Sequence, residues 1–385
     1  MPWKRTDVNE QRIAFVIRAS EPGANVSGLC REFGVSRRTG YRWLDRYRAA
    51  GSLRGLSERS RRPHTSPDRT STEVEARVMA LRERYDWGGR KLQVLLKREG
   101  IALSESTINR ILKRRGLIAP WRSHQPAVQR FERQRCNELW QMDFKGDYRL
   151  GRGRCYPLSL LDDHSRYVVG LHAVAGLDTA TVRRCLVNTF ERYGVPEAIL
   201  MDHGIPWWGN SNARGLTRVS VDLLRQNIQL CFSGVRHPQT QGKVERFHRT
   251  LSDELRRRNI PNTIDAFQVR LDQFRELYNQ IRPHEALHMA VPGQAYTPSP
   301  RAYNPTPPDW EYPPGSVVRR LNSQGSLDYN RQRLFVCEAL ADECVRLEQL
   351  HNTLAIQYRH MYIREIDLST GLSVTLLEPA RNHGL

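Results

Sequence analysis

Hydrophobic positions along the chain recur first at helical spacing and later at strand spacing. Val26, Leu29, Cys30 and Phe33 fall at i, i+3, i+4 and i+7, the stripe of an amphipathic helix that Gly34 breaks. Ser36 is placed to cap a third helix with Trp43, Leu44 and Tyr47 inward and Arg37, Arg38 and Arg42 outward. Three short helices ending in a basic one predict a helix-turn-helix unit over residues 1–52. A polar stretch rich in Arg and Ser, 53–70, reads as a linker. The helical pattern then repeats over 71–118. Thr72 and Glu75 have capping-box spacing, "GGRKLQVLLKREG" supplies a middle helix, and Ser104 caps a last helix with Ile108, Ile111 and Leu112 inward. Arg110, Lys113 and Arg114 are the basic side chains of that last helix.

Past Cys136 the period becomes two. In "NELWQMDFKGDY", Trp140, Met142 and Phe144 alternate with Leu139, Gln141 and Asp143, which puts an acid in mid-strand, a costly place unless something pairs with it. Two apolar runs then flank Asp162, Asp163, His164 and Ser165, a hairpin in which the paired acids read as turn formers. A helix capped by Asp178, a strand "AILMD" ending on Asp202, another helix and the strand "IQLCF" follow. In the helix "GKVERFHRTLSDELRRR", Val244, Phe247, Leu251 and Leu255 form one stripe and Glu245 lies about a hundred degrees round from it. This order predicts an α/β core over 136–291 in which Asp143, Asp202 and Glu245, far apart in sequence, can meet. Residues 292–314 contain eight prolines, the composition of a stiff extended linker. Residues 315–385 alternate in short runs, the pattern of a small five-stranded barrel.

Charge adds a partner to this layout. The 385 residues carry 60 Lys and Arg against 41 Asp and Glu, a net charge of +19. Residues 1–135 hold 30 basic and 14 acidic side chains, 136–291 hold 21 and 17, and 292–385 hold 9 and 10. A positive front third implies a polyanion, nucleic acid or an anionic membrane surface, and two helix-turn-helix patterns in that same third favour DNA. No apolar run has the length of a membrane span and the first residues lack a signal peptide's apolar stretch, so a soluble intracellular protein is expected. Seven scattered cysteines with no CxxC pair argue against a disulfide framework and a zinc site.

The motifs "WQMDF", "DDHSRY", "MDHG", "HPQTQGKVERFHRTL" and "YNQIRPHEAL" occur in this order across Asn137 to Arg301. On them the chain resembles insertion-sequence transposases of the DDE class, whose catalytic core is similar to retroviral integrases and has a ribonuclease H-like fold. The resemblance implies that Asp143, Asp202 and Glu245 are the catalytic, metal-binding carboxylates, with two Mg²⁺ ions and Mn²⁺ as a substitute. Converging carboxylates repel one another unless cations neutralise them, and hard oxygen ligands suit these ions. The implied activity is cleavage at the 3′ ends of an element and strand transfer into target DNA. The implied partners are double-stranded DNA, both terminal inverted repeats and target, and further copies of the chain, at least a dimer, in the bacterial cytoplasm at the nucleoid.

On this reading Arg37, Arg38, Arg42, Arg110, Lys113, Arg114, His237, Lys243, Arg246 and Arg249 face DNA, and the C-terminal strands form an SH3-like barrel. The sequence departs from the family in two places. A span of 42 residues separates Asp202 from Glu245, longer than is usual, and His203 stands where asparagine is common. The extra text holds Trp207 and Trp208, which either plug the loop onto the sheet or stack on an unpaired base. Competing readings are a catalytically inactive helix-turn-helix regulator and a nuclease acting on RNA:DNA hybrids.

Overall fold

In a computed structural model of the chain the described residues are 7–58, 69–118, 132–209, 215–233, 242–257 and 259–377. They fall into two compact bodies, one up to Thr72 and one from Glu73. The first body holds α1 (Val8–Ala19), α2 (Val26–Glu32) and α3 (Arg37–Ala50). Ser36 caps α3 as its sequence position implies, its side chain accepting from Thr39 N at 3.2 Å. Phe15, Val16, Cys30, Trp43, Leu44 and Leu56 form the core. Gly40 lets α3 cross closely, since a Cβ there would lie 2.5 Å from Cys30 Sγ and 2.8 Å from the Phe15 ring. Arg37, Arg38 and Arg42 are exposed along the opposite side of α3.

The second body opens with α4 (Thr72–Tyr85), α5 (Gly89–Arg98) and α6 (Glu105–Arg114), packed around Val78, Leu92, Leu96, Ile108 and Ile111. Ser104 caps α6. Arg114 does not reach out from α6 as a free cation. Its Nη2 donates to Glu75 Oε1 at 2.8 Å, and Glu75 is buried. This three-helix unit rests on the α/β core, with Arg98 Nη1 donating to Ile281 O at 3.1 Å and Arg257 Nη2 to Glu83 O and Arg84 O at 2.6 and 3.0 Å.

The core sheet contains β1 (Trp140–Phe144), β2 (Tyr148–Arg149), β3 (Arg154–Asp162), β4 (Val168–Val174), β5 (Ala198–Met201) and β6 (Gln229–Phe232). β3 pairs antiparallel with β1, β2 and β4, while β5 is parallel to both β1 and β6, a mixed sheet. Alternation of side chains gives it two apolar faces. Trp140, Met142, Leu158 and Leu160 pack against α7 (Thr179–Tyr193) and α8 (Arg218–Arg225). Cys155, Leu161, Val168 and Leu171 pack against α9 (Gly242–Arg256) and α10 (Ile264–Glu276). α10 runs on into a π-helical turn, Leu277–Ile281, where the Asn279 side chain bonds both backbone groups of Val168 at 2.9 and 3.0 Å.

Two expectations change beyond the core. The proline-rich segment is not a free spacer. After α11 (Pro292–Ala295), Tyr296 stacks on Tyr167 with centroids 4.3 Å apart, and Arg301 donates to the carbonyls of Pro196, Gln226 and Asn227 at 2.6 to 2.8 Å. Prolines stiffen this strap, while its aromatic and arginine side chains bind it to the core. The C-terminal strands are β7 (Val317–Arg320), β8 (Ser326–Tyr329), β9 (Gln332–Phe335), β10 (Cys344–Leu350), β11 (Thr353–Tyr358), β12 (Met361–Asp367) and β13 (Ser373–Thr375). Five pair in the order β13-β12-β11-β10-β7 and the β8–β9 hairpin stands apart, so among the described residues the sheet is open rather than a closed barrel. Its apolar face, including Val345, Leu347, Leu354 and Ile356, belongs to one buried cluster with Leu327 and Leu334 of the hairpin and Leu224 and Leu230 of the core. Neighbouring layers cover that face, so burial does not require closure.

Candidate active site

Asp143 sits near the end of β1, two residues beyond Gln141 and therefore on the same face of the sheet. Gln141 Oε1 accepts from Val244 N at 3.1 Å and so fastens the start of α9 over that face. The parallel pairing of Trp140 with Ile199 and Gln141 with Leu200, carried two residues on, sets Asp143 beside Asp202. Glu245 follows on the first turn of α9, exposed, in the wall of a cleft of about 370 Å³ shared with Lys145, His248, Arg249 and Arg256.

Asp202 is held in place from one side. Its Oδ1 accepts from Gly204 N and from Trp207 Nε1, both at 2.9 Å. Gly204 permits this turn, because a Cβ there would lie 2.9 and 3.0 Å from the two carboxylate oxygens. Trp207 is buried and stacks on Phe144 at 5.2 Å with the rings 8° from parallel. Trp208 packs edge-on against His203 and Phe232. Both tryptophans thus plug the loop onto the core, and Trp207 also carries the hydrogen bond to Asp202.

Electrostatics couple the three acids. The Asp143 carboxyl is pushed up to about 7, first by burial and then by the charge of Asp202, with Glu245 adding to the rise and the Phe144 backbone N–H and Lys145 opposing it. Among the described residues no three His, Cys, Asp or Glu side chains stand close enough together to hold a metal ion. The donor set nevertheless fits a hard divalent cation, since three mutually repelling carboxylates present only oxygen and a cation would relieve the repulsion.

The remaining candidate residues divide. Arg246 and Arg249 are exposed on α9, and Lys113 and Arg110 on α6, with Arg110 also donating to Thr107 Oγ1 at 3.0 Å. Lys243 departs from expectation: its ammonium turns inward to Asp163 Oδ2 at 2.5 Å and Asp163 O at 3.0 Å, and burial brings its pKa down to about 8. His237 lies outside the described residues. Three contributors were not read from the sequence: Trp207 as the holder of Asp202, Asp163 as a buried anchor, and His248. The last had a signal, because it lies three residues after Glu245 and four after Val244, a polar residue on the inward side of α9.

Parts of the chain match families of known proteins. Residues 133–238 and 226–292 match the integrase core domain family, 11–64 a helix-turn-helix domain and 39–112 a homeodomain-like domain. An insertion element IS136 uncharacterized protein of Agrobacterium tumefaciens (strain T37) is 32% identical over 144 residues, 35% of this chain and 70% of that protein. The chain belongs to the insertion-element transposases with an integrase core domain. This transposase is also 26% identical over 261 residues to the IS407 uncharacterized 31.7 kDa protein of Burkholderia multivorans, covering 64% of the chain and 89% of that protein. A putative transposase, y4bF, of Sinorhizobium fredii is 29% identical over 292 residues, 70% of the chain and 61% of its relative. Among solved structures, the HTLV-2 integrase catalytic core domain in complex with magnesium aligns with 43% of the transposase and 99% of its own chain at 14% identity, with a TM-score of 0.33. The integrase core marks the transposase as a nucleic-acid-processing enzyme and its helix-turn-helix domains mark it as DNA-binding. Among the described residues no helix is long and apolar enough to cross a membrane.

Proposed function

We propose that the transposase binds the terminal inverted repeats of its element, cleaves at their 3′ ends and joins those ends to target DNA. The observation that carries this reading is the convergence of Asp143 and Asp202 on neighbouring strand ends, with the Asp143 carboxyl raised by burial and by the charges of Asp202 and Glu245. These three side chains would hold two Mg²⁺ ions, or Mn²⁺, whose charge would stabilise the attacking and leaving oxygens of an in-line phosphoryl displacement. Trp207 and Gly204 fix the Asp202 carboxylate, and Gln141 fixes the helix that presents Glu245. Arg249 and Arg256 supply positive charge on the cleft wall for the DNA backbone. Arg37, Arg38 and Arg42 on α3, with Lys113 on α6, face the duplex. Two element ends call for at least two copies of the chain.

The second reading is a non-catalytic DNA-binding regulator, which the helix-turn-helix domains by themselves would serve. Strand transfer in Mg²⁺ on a duplex carrying the element's terminal repeat separates the two. Wild type is expected to nick and join, and Glu245→Gln to bind the duplex and do neither. Binding without reaction by wild type, in Mg²⁺ and in Mn²⁺, would favour the regulator.

A further inference from the structure

Glu245 and His248 lie one turn apart on the same side of α9, over the face of β1 that carries Asp143. Ser159 of β3 is the cross-strand partner of Asp143, so its side chain stands beside the carboxylate on that face. The His248 ring bridges the pair. Its Nε2 is 3.0 Å from Ser159 Oγ and its Nδ1 is 3.5 Å from Asp143 Oδ2. Ser159 is fully buried and His248 is 7% exposed, with its remaining exposed edge in the cleft.

We propose that His248 is a positioning residue for Asp143, donating from Nδ1 to one carboxylate oxygen and leaving the other to a divalent cation. The inference rests on the carboxylate reading above. An ionised carboxylate only accepts hydrogen bonds, so the ring nitrogen that faces it must carry the proton. Nε2 is then bare and must accept, and Ser159, whose hydroxyl can donate, is the group that faces it. The Ser159 hydroxyl, which can donate or accept, satisfies that tautomer. The 3.5 Å separation is longer than a formed N–H···O bond, and a small turn of the carboxylate would bring the donor within reach. Partners of this kind, which hold a ligating side chain in place, change metal affinity when they are lost. A histidine that merely filled space between α9 and the sheet would not care which of its two nitrogens was preserved.

That difference gives the test. Asparagine places its amide nitrogen near the position of Nδ1, whereas glutamine places its amide near Nε2. Mn²⁺ affinity of the purified full chain, followed by electron paramagnetic resonance, is compared for wild type, His248→Asn, His248→Gln, His248→Ala, Ser159→Ala and Asp143→Asn, with thermal melts and binding of the repeat duplex measured alongside. His248→Asn is expected to stay within about threefold of wild type, while His248→Gln and His248→Ala weaken Mn²⁺ by about 10- to 100-fold and Ser159→Ala weakens it less. Duplex binding stays unchanged in all of them. Equal Mn²⁺ affinities for the Asn and Gln variants, or an Ala variant equal to wild type, overturn the positioning role while leaving the carboxylate site standing. If Asp143→Asn itself leaves Mn²⁺ affinity intact, the carboxylate reading fails and this proposal fails with it.

Discussion

Two groups of acids share the α/β core, and their surroundings divide them. Asp162 and Asp163, at the hairpin, are completely buried, yet each oxygen has a donor. Asp162 accepts from Asn137 N at 2.7 Å and from Ser165 N and Oγ at 2.8 and 2.5 Å. Asp163 accepts from Gln141 Nε2 at 2.9 Å, Arg133 N at 2.8 Å and Lys243 Nζ at 2.5 Å. The Asp143 carboxyl is instead raised, first by its burial and then by the charges of Asp202 and Glu245. Burial alone does not separate the two groups, since the hairpin pair is the more buried. What separates the two groups is the donor set, since Asp162 and Asp163 are each held by several hydrogen bonds while Asp143 faces the charges of two other carboxylates.

The largest expected effect that sharpens this contrast is on cleavage. Asp202→Asn and Glu245→Gln should each lower it roughly a thousandfold or more, as loss of one member of a unit does, with little change in thermal unfolding. Variants that keep cleavage within about tenfold of wild type would erase the distinction. Next comes stability, read by urea unfolding. Asp163→Ala should cost about 3–5 kcal/mol, because it removes the carboxylate paired with the buried Lys243 ammonium, and Asp163→Leu with Lys243→Met should recover much of that loss. Trp207→Phe keeps an aromatic ring against Phe144 but removes the donor to Asp202. About a tenfold loss of cleavage with about 1 kcal/mol of stability is expected, with a similar loss of cleavage in Trp207→Leu; wild-type cleavage in Trp207→Phe beside a loss in Trp207→Leu would point to packing instead.

The smallest effect is on the pH dependence of stability in cation-free buffer. Asp143 rises from 3.8 to about 7 on folding, mainly through burial and Asp202. Across that window the folded chain keeps a proton the unfolded chain has released, so this group's contribution falls as pH rises. His172, brought down to about 4, and His248 and His284, each brought down to about 3, are held neutral chiefly by burial and act in the opposite sense up to their ordinary 6.5. The difference between Asp143→Asn and wild type therefore isolates the carboxylate. The variant should gain on wild type between roughly pH 4 and 7, and Mg²⁺ should remove the gain. A flat difference would contradict the coupling.

Much of this was legible before the structure. Ser36, Ser104 and Asp178 cap the helices their positions imply, and the Val244, Phe247, Leu251 and Leu255 stripe sets the phase of α9. That phase places Glu245 at the rim. It does not say where Lys243 turns, because the carboxylate that captures it comes from 80 positions earlier. Likewise Arg114 reads as an outward cation until Glu75, from another helix, is seen facing it. Period-two alternation marked the C-terminal strands, but whether β7 meets β13 depends on what covers the sheet, which alternation within a strand does not carry. Proline count gave the strap its stiffness, while Tyr296 and Arg301 decide that it is bound. His248 was passed over because a histidine on an inward stripe looks like filling until Ser159 and Asp143 are found on either side of it.

If Asp143, Asp202 and Glu245 hold one cation site, calorimetric titration of Mn²⁺ into the purified chain will report the loss of each. Asp147, a neighbouring acid paired with Arg154 at 3.0 Å, is the control. Asp143→Asn, Asp202→Asn and Glu245→Gln should each weaken or abolish Mn²⁺ binding while Asp147→Asn leaves it unchanged. Wild-type binding that survives all three substitutions, or that vanishes with Asp147→Asn alone, would contradict the account.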